Sequence, residues 1–103
     1  MTQQHAQEQA RRLKKKLLAK HFPVREVLLY GSQAKGSARE DSDIDIAVVC
    51  DPFGSDRLEE NVAVSRERWD VDLRIETVCL HPEDFQNKFF TLAQEVRRYG
   101  IPV

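Results

Sequence analysis

Cysteine is scarce in this chain of 103 residues: Cys50 and Cys79 are the only two, and neither belongs to a Cys-x-x-Cys pair or neighbours a His-x-x-x-His segment. His5, His21 and His81 are equally scattered. That spacing argues against a zinc site or a disulfide framework and leaves two buried, reduced thiols as the reading. Long apolar runs are missing as well. None approaches the roughly 20 residues of a membrane-spanning helix, and the opening MTQQHAQEQARRLKKKLLAK lacks the apolar core of a signal peptide. No membrane association is expected, and the expected location is cytoplasmic. There is no excess charge of one sign either: 16 Lys and Arg stand against 17 Asp and Glu, for a net charge of -1 and a pI near 6.3. Without a global positive field, direct nucleic-acid binding is not expected, and any phosphate chemistry must be local.

What is present is the balance of a folded domain, with 41% hydrophobic and 32% charged residues. At 11.9 kDa the chain has room for one core, so a single domain over residues 1–103 is expected. From Gln3 to Lys20, Ala6, Ala10, Leu13 and Leu17 recur at helical spacing among Arg11, Arg12, Lys14, Lys15 and Lys16. This amphipathic helix also offers a surface for a homo-oligomer. Val24 to Tyr30 reads as a first strand that stops at Gly31, and Ser42 to Val49 as a second. In the second, Asp43, Asp45, Ala47 and Val49 share one face and Ile44, Ile46 and Val48 the other. Between the two strands, Ala34 to Gly36 could begin a short helix.

After the turn Asp51-Pro52-Phe53-Gly54-Ser55, a helix is expected from Asp56 as N-cap, with Leu58, Val62, Ser65 and Trp69 on one face. Asp70 to Val78 alternates again and predicts a third strand, with Asp70, Asp72, Arg74 and Glu76 opposite Val71, Leu73, Ile75 and Thr77. A last helix starts at His81-Pro82 and runs to Tyr99, with Phe89, Leu92, Val96 and Tyr99 toward the sheet, until Gly100 ends it. The order helix, strand, strand, helix, strand, helix implies a small α/β or α+β domain whose mixed sheet is flanked by helices.

The chemistry concentrates in Gly31-Ser32-Gln33-Ala34-Lys35-Gly36, followed five residues later by Ser42-Asp43-Ile44-Asp45-Ile46. Gly31 closes a strand and lets backbone approach a ligand, Ser32 adds a hydroxyl, and Gly36 permits a second tight bend. Two carboxylates spaced by two on a strand project from one face, with attachment points about 6.5–7 Å apart. Mg²⁺ takes oxygen ligands and usually binds through one or two carboxylates plus substrate phosphates. Two aspartates set on a pleat also repel one another unless a cation neutralises them. If the third strand neighbours the second, Asp72 stands beside Asp43 and Asp45, and three carboxylates could hold two metal ions for in-line displacement at phosphorus. Asp70 is the competing candidate, and Arg74 reads as a partner for an aspartate rather than a triphosphate ligand.

This pattern resembles the DNA polymerase β-like nucleotidyltransferase superfamily, particularly its smallest bacterial and archaeal members. The residues that carry the resemblance are Leu28-Leu29-Tyr30-Gly31-Ser32-Gln33-Ala34-Lys35-Gly36, Asp41-Ser42-Asp43-Ile44-Asp45-Ile46 and Val71-Asp72-Leu73. It implies a nucleotidyltransferase fold, with Gly31, Ser32, Lys35, Gly36 and Ser42 binding the nucleotide and Asp43, Asp45 and Asp72 holding two Mg²⁺ ions. Asp72 would in addition help activate the acceptor hydroxyl. Gln33 stands where relatives often carry Arg, so one phosphate contact is weaker or falls to Lys35 or Arg39.

The resemblance further implies transfer of AMP from ATP to an acceptor. The minimal members pair with a small all-helical HEPN protein, often an RNase toxin, and in several pairs they act as antitoxins by adenylylating it. A protein adenylyltransferase with a HEPN partner is therefore the first expectation. The alternatives are a module that neutralises its partner by contact, and transfer to a small molecule or RNA.

Overall fold

Thr2 opens the first helix by accepting a hydrogen bond from the His5 amide, and α1 (Gln3–Ala19) then buries Ala6, Ala10, Leu13 and Leu17 completely. The expected stripe thus faces this chain's own sheet, while Arg11, Arg12 and Lys15 stay in solvent. The computed structural model describes residues 2–39 and 42–103. Asp41, which precedes the Ser-Asp-x-Asp segment, lies outside the described residues, as do Met1 and Glu40.

Four strands form one mixed sheet in the order β3-β2-β1-β4. β1 (Val24–Tyr30) and β2 (Ile44–Cys50) pair antiparallel, with Tyr30 opposite Asp45. β2 and β3 (Ile75–Leu80) pair parallel, so the chain between them must cross over, and α3 (Arg57–Arg66) makes that crossover. The expected mixed sheet flanked by helices is what the chain forms.

One face of the sheet packs Val27, Leu29, Ile44, Ile46, Val48, Ile75 and Cys79 against α1 and Val64 of α3. The other packs Leu28, Ala47, Val49 and Leu80 against Ala93 and Val96 of α4 (Thr91–Tyr99). β2 is therefore buried on both faces except at its start, where Asp45 is half-buried. Cys50 and Cys79 are both buried and free, as expected.

Three expectations are corrected. First, Asp70 to Arg74 is not strand. The Val71 and Asp72 amides bond back to the Arg68 carbonyl at 2.9 and 3.1 Å, and the Asp72 carboxylate accepts from the Arg74 amide at 2.9 Å. These bonds fold the segment into turns, and the strand runs from Ile75 on to Leu80. Secondly, α3 turns its apolar stripe outward: Leu58 is 73% exposed and Trp69, beyond the helix end, 68%. Polar contacts choose the inward face instead. Asn61 accepts the Cys79 amide at 3.0 Å, Arg57 forms a two-pronged pair with Asp84, and the buried Glu60 binds the Phe53 and Gly54 amides and His81.

Thirdly, the final helix is split. A 3₁₀ turn at Pro82–Gln86 is followed by a bend where the Asn87 side chain accepts the Phe89 amide, and α4 begins only at Thr91. Phe89 is consequently 83% exposed rather than against the sheet. Past Gly100, the two-residue β4 (Ile101–Pro102) pairs with Leu28 and Leu29, an element too short for any periodicity to announce.

Candidate active site

β1 delivers Tyr30 to the edge of the sheet, and the backbone then turns through Gly31 at φ +68° into the short helix α2 (Gly31–Lys35). Only glycine adopts that conformation without strain, and a methyl group here would overlap the Asp45 carboxylate oxygen Oδ2. The Gly-Ser turn and the aspartate of β2 therefore touch, which the spacing had only suggested. Gly36, at φ +74°, closes α2 in the left-handed conformation with its amide on the Ser32 carbonyl. The helix thus starts three residues earlier than expected, at Gly31 itself.

Asp43 lies exposed one residue before β2, and Asp45 is half-buried within it. Directly beside Asp45 in the parallel register stands Glu76 of β3, on the same face. Neighbouring strands lie about 4.8 Å apart, so these two carboxylates share one small volume. Burial, and then the charges of Glu76, Asp43 and Glu95, push the Asp45 carboxyl above its ordinary value. The same cluster acts on Tyr30, whose hydroxyl is pushed up to about 12 by burial and by Asp45, Glu95 and Glu76.

Asp45 and Glu76, side by side against a backbone turn with room for no Cβ, with Asp43 near and, among the described residues, only Glu95 of the surrounding carboxylates paired to a lysine, are a donor set that suits a hard divalent ion. Among the described residues no three His, Cys, Asp or Glu side chains close into a ready-made metal cage. That agrees with an ion completed by substrate phosphates and water rather than by protein alone.

Asp72 is not brought to this cluster. It sits in the turn before β3, its carboxylate bound to Arg74 at 2.7 and 3.0 Å, with His5 of α1 nearby. Arg74 above all holds that carboxyl below its ordinary value, which overrides the opposing effect of partial burial. Arg74 is thus the aspartate partner the sequence suggested, and Asp70 pairs with Lys16 on the surface. Glu76 escaped assignment in the sequence because alternation alone counts it as one more polar residue of a strand centred on Asp72. The signal that would have found it is the β-rich run Ile75-Glu76-Thr77-Val78-Cys79-Leu80, which moves the strand past Asp72.

Of the remaining loop residues, Ser42 uses its hydroxyl to accept the Arg39 amide at 2.7 Å. Lys35 pairs with Glu95 of α4 at 2.8 Å and lies 4.8 Å from the centre of the Tyr99 ring. Gln33, 1% exposed, points inward and donates to the Asp43 carbonyl at 3.3 Å, pinning α2 to the entrance of β2. Where an arginine would reach for phosphate, this glutamine works inside the fold.

A mixed sheet that carries a Gly-Ser turn and paired acidic side chains at one end is the frame of a nucleotidyltransferase domain. The chain belongs to the polymerase beta nucleotidyltransferase family, whose model matches residues 14–99.

Among solved structures, a candidate nucleotidyltransferase from Sulfolobus solfataricus superposes with a TM-score of 0.71 at 20% identity, covering 97% of this chain and 80% of the other. A toxin-antitoxin complex with AMP-PNP gives 0.65 at 21% identity, over 90% and 70%. A complex of an MNT antitoxin with the tri-AMPylated HEPN toxin of Shewanella oneidensis gives 0.61 at 20% identity, over 94% and 70%. Likeness at this level of identity concerns the fold. No curated protein matches the chain.

Proposed function

We propose that this nucleotidyltransferase moves AMP from ATP onto a hydroxyl of a HEPN-type protein partner, with Mg²⁺ held by Asp43, Asp45 and Glu76. The observation that carries the reading is the register of Asp45 beside Glu76 at the point where Gly31 meets the Asp45 carboxylate. In the reaction the acceptor oxygen bonds to the α-phosphorus, the bond to the β-phosphate oxygen breaks, and pyrophosphate leaves. A carboxylate of the cluster takes the hydroxyl proton. The chemistry that a divalent cation supplies at such a site is neutralisation of the triphosphate and stabilisation of both the attacking and the leaving oxygen. Gly31 and Ser32, with Ser42 and Gly36 shaping the loop, provide the turn on which the phosphates rest. Lys35 stands at its edge for the outer phosphates.

The choice of partner rests on the fold shared with antitoxins found in complex with HEPN toxins. Incubation with ATP radiolabelled at the α-phosphate, Mg²⁺ and a HEPN-type protein from the same genome tests it. Wild type should label the partner, and Asp45→Asn and Glu76→Gln should each reduce labelling by at least about 10²-fold. Asp72→Asn should retain it, because Asp72 is engaged by Arg74. No label with wild type, or equal loss in Asp72→Asn, overturns the assignment. A second reading, neutralisation of the partner by contact alone, draws on the same fold neighbours, which are antitoxins in complex with their toxins. It predicts that Asp45→Asn still silences the partner in cells.

A further inference from the structure

The outward stripe of α3 is a feature of the fold that the catalytic reading leaves unused. Leu58 and Trp69 are mostly exposed, and Val62 between them is 43% exposed. Two surface concavities of about 440 Å³ each flank Val62. Glu59, Ala63 and Arg66 line one, and Ser65, Trp69 and Thr77 line the other. The neighbouring edge of β3 is already covered, since Asn61 takes the Cys79 amide and Arg68 the Ile75 carbonyl. A partner therefore meets mainly side chains here.

We infer that this face binds the same face of a second copy of the chain, the two α3 helices lying antiparallel across a two-fold axis between Val62 and Ala63. The order of charges along the stripe sets this pairing. Asp56 and Glu59 stand at the start of α3 and Arg66 at its end, all exposed, while the cation at the start, Arg57, is taken up by Asp84 and Glu59 also accepts from the Ser55 amide. An antiparallel pair sets Glu59 of each copy against Arg66 of the other, whereas a parallel pair opposes like charges. The small Ala63 lets the helices approach at their crossing, and Leu58 of each copy enters the concavity beside Trp69 of the other. One helix and one tryptophan per copy make a small interface, so the dimer is weak and concentration-dependent.

Trp69 is the only tryptophan in the chain, which makes its emission a direct reporter. On dilution of the full chain from millimolar to low micromolar, sedimentation should show the dimer mass halving while Trp69 emission moves to the red. Each charge reversal breaks two symmetric pairs, so Glu59→Arg and Arg66→Glu should each weaken the dimer about tenfold. The double reversal should restore it. Leu58→Ser, at a side chain that is mostly exposed in the fold, should abolish the dimer while leaving the melting temperature of the dilute monomer nearly unchanged. A monomer at every concentration, or a double reversal as weak as its parents, overturns the proposal. So does a one-to-one complex in which a different helical protein covers Trp69 of a single copy.

Discussion

Replacing Asp45 with Asn should make the protein more stable and inactive at once. The two strands that carry Asp45 and Glu76 are register neighbours about 4.8 Å apart. Unit charges at roughly 5 Å repel by about 0.8 kcal/mol in water and about 3 kcal/mol at an effective dielectric constant of 20. Glu76 is exposed, which places the pair toward the screened end, so the gain is about 1 kcal/mol. For a chain of this size that is a rise of about 4–8 °C in Tm.

The pH dependence has a definite sign. Asp45 binds its proton more tightly when folded, so its contribution favours the folded state below the ordinary value of 3.8 and is lost as pH rises through the higher folded value. The advantage of the Asn variant should therefore be absent in acid and full at neutral pH. Mg²⁺ should act oppositely: at about 100 times its Kd it stabilises the protein that binds it by about 2.7 kcal/mol, and so raises wild type and not Asp45→Asn. The assay is thermal unfolding in EDTA and in Mg²⁺ across pH. An Asn variant that melts below wild type in EDTA, or gains as much from Mg²⁺, would refute the account of the cluster.

Two further outcomes are expected. Gly31→Ala forces a left-handed alanine costing about 1–2 kcal/mol and drives a methyl group into Asp45, so it should lower Tm and abolish Mg²⁺-dependent ATP binding in calorimetry. Gly36→Ala carries the same left-handed strain and should also lower Tm, but where the space for a Cβ is open it should keep that binding. Burial opposes ionisation of Glu60, but the Phe53 and Gly54 amides and His81 outweigh it and hold the carboxyl below its ordinary 4.5. This contribution is present above pH 4.5 and is lost as pH falls through the lower folded value. Glu60→Gln, which removes the charge that these hydrogen bonds meet, should therefore cost about 2 kcal/mol at neutral pH and show a flatter acid unfolding curve by circular dichroism.

By itself the sequence determined the elements whose pattern has one solution. The stripe of α1, the β-rich run of β1 and the alternation Ile44-Asp45-Ile46 each bury one face only in one conformation, and Asp56 caps α3 because its side chain reaches the Glu59 amide. Asp43, Asp45 and Gly31 were legible for the same reason: two-residue spacing on a strand and a glycine at its end are local facts.

Which carboxylate stands beside Asp45 was not local. It depends on where β3 starts, and the Asx turn of Asp72 with Arg74 moved that start to Ile75 and put Glu76 in register. The inward face of α3 was likewise decided by Glu60, Asn61 and Arg57 finding buried partners far along the chain, an energy that outweighs exposing Leu58, Val62 and Trp69. Periodicity records how apolar a face is. Only the assembled fold shows which polar groups could not be left without partners.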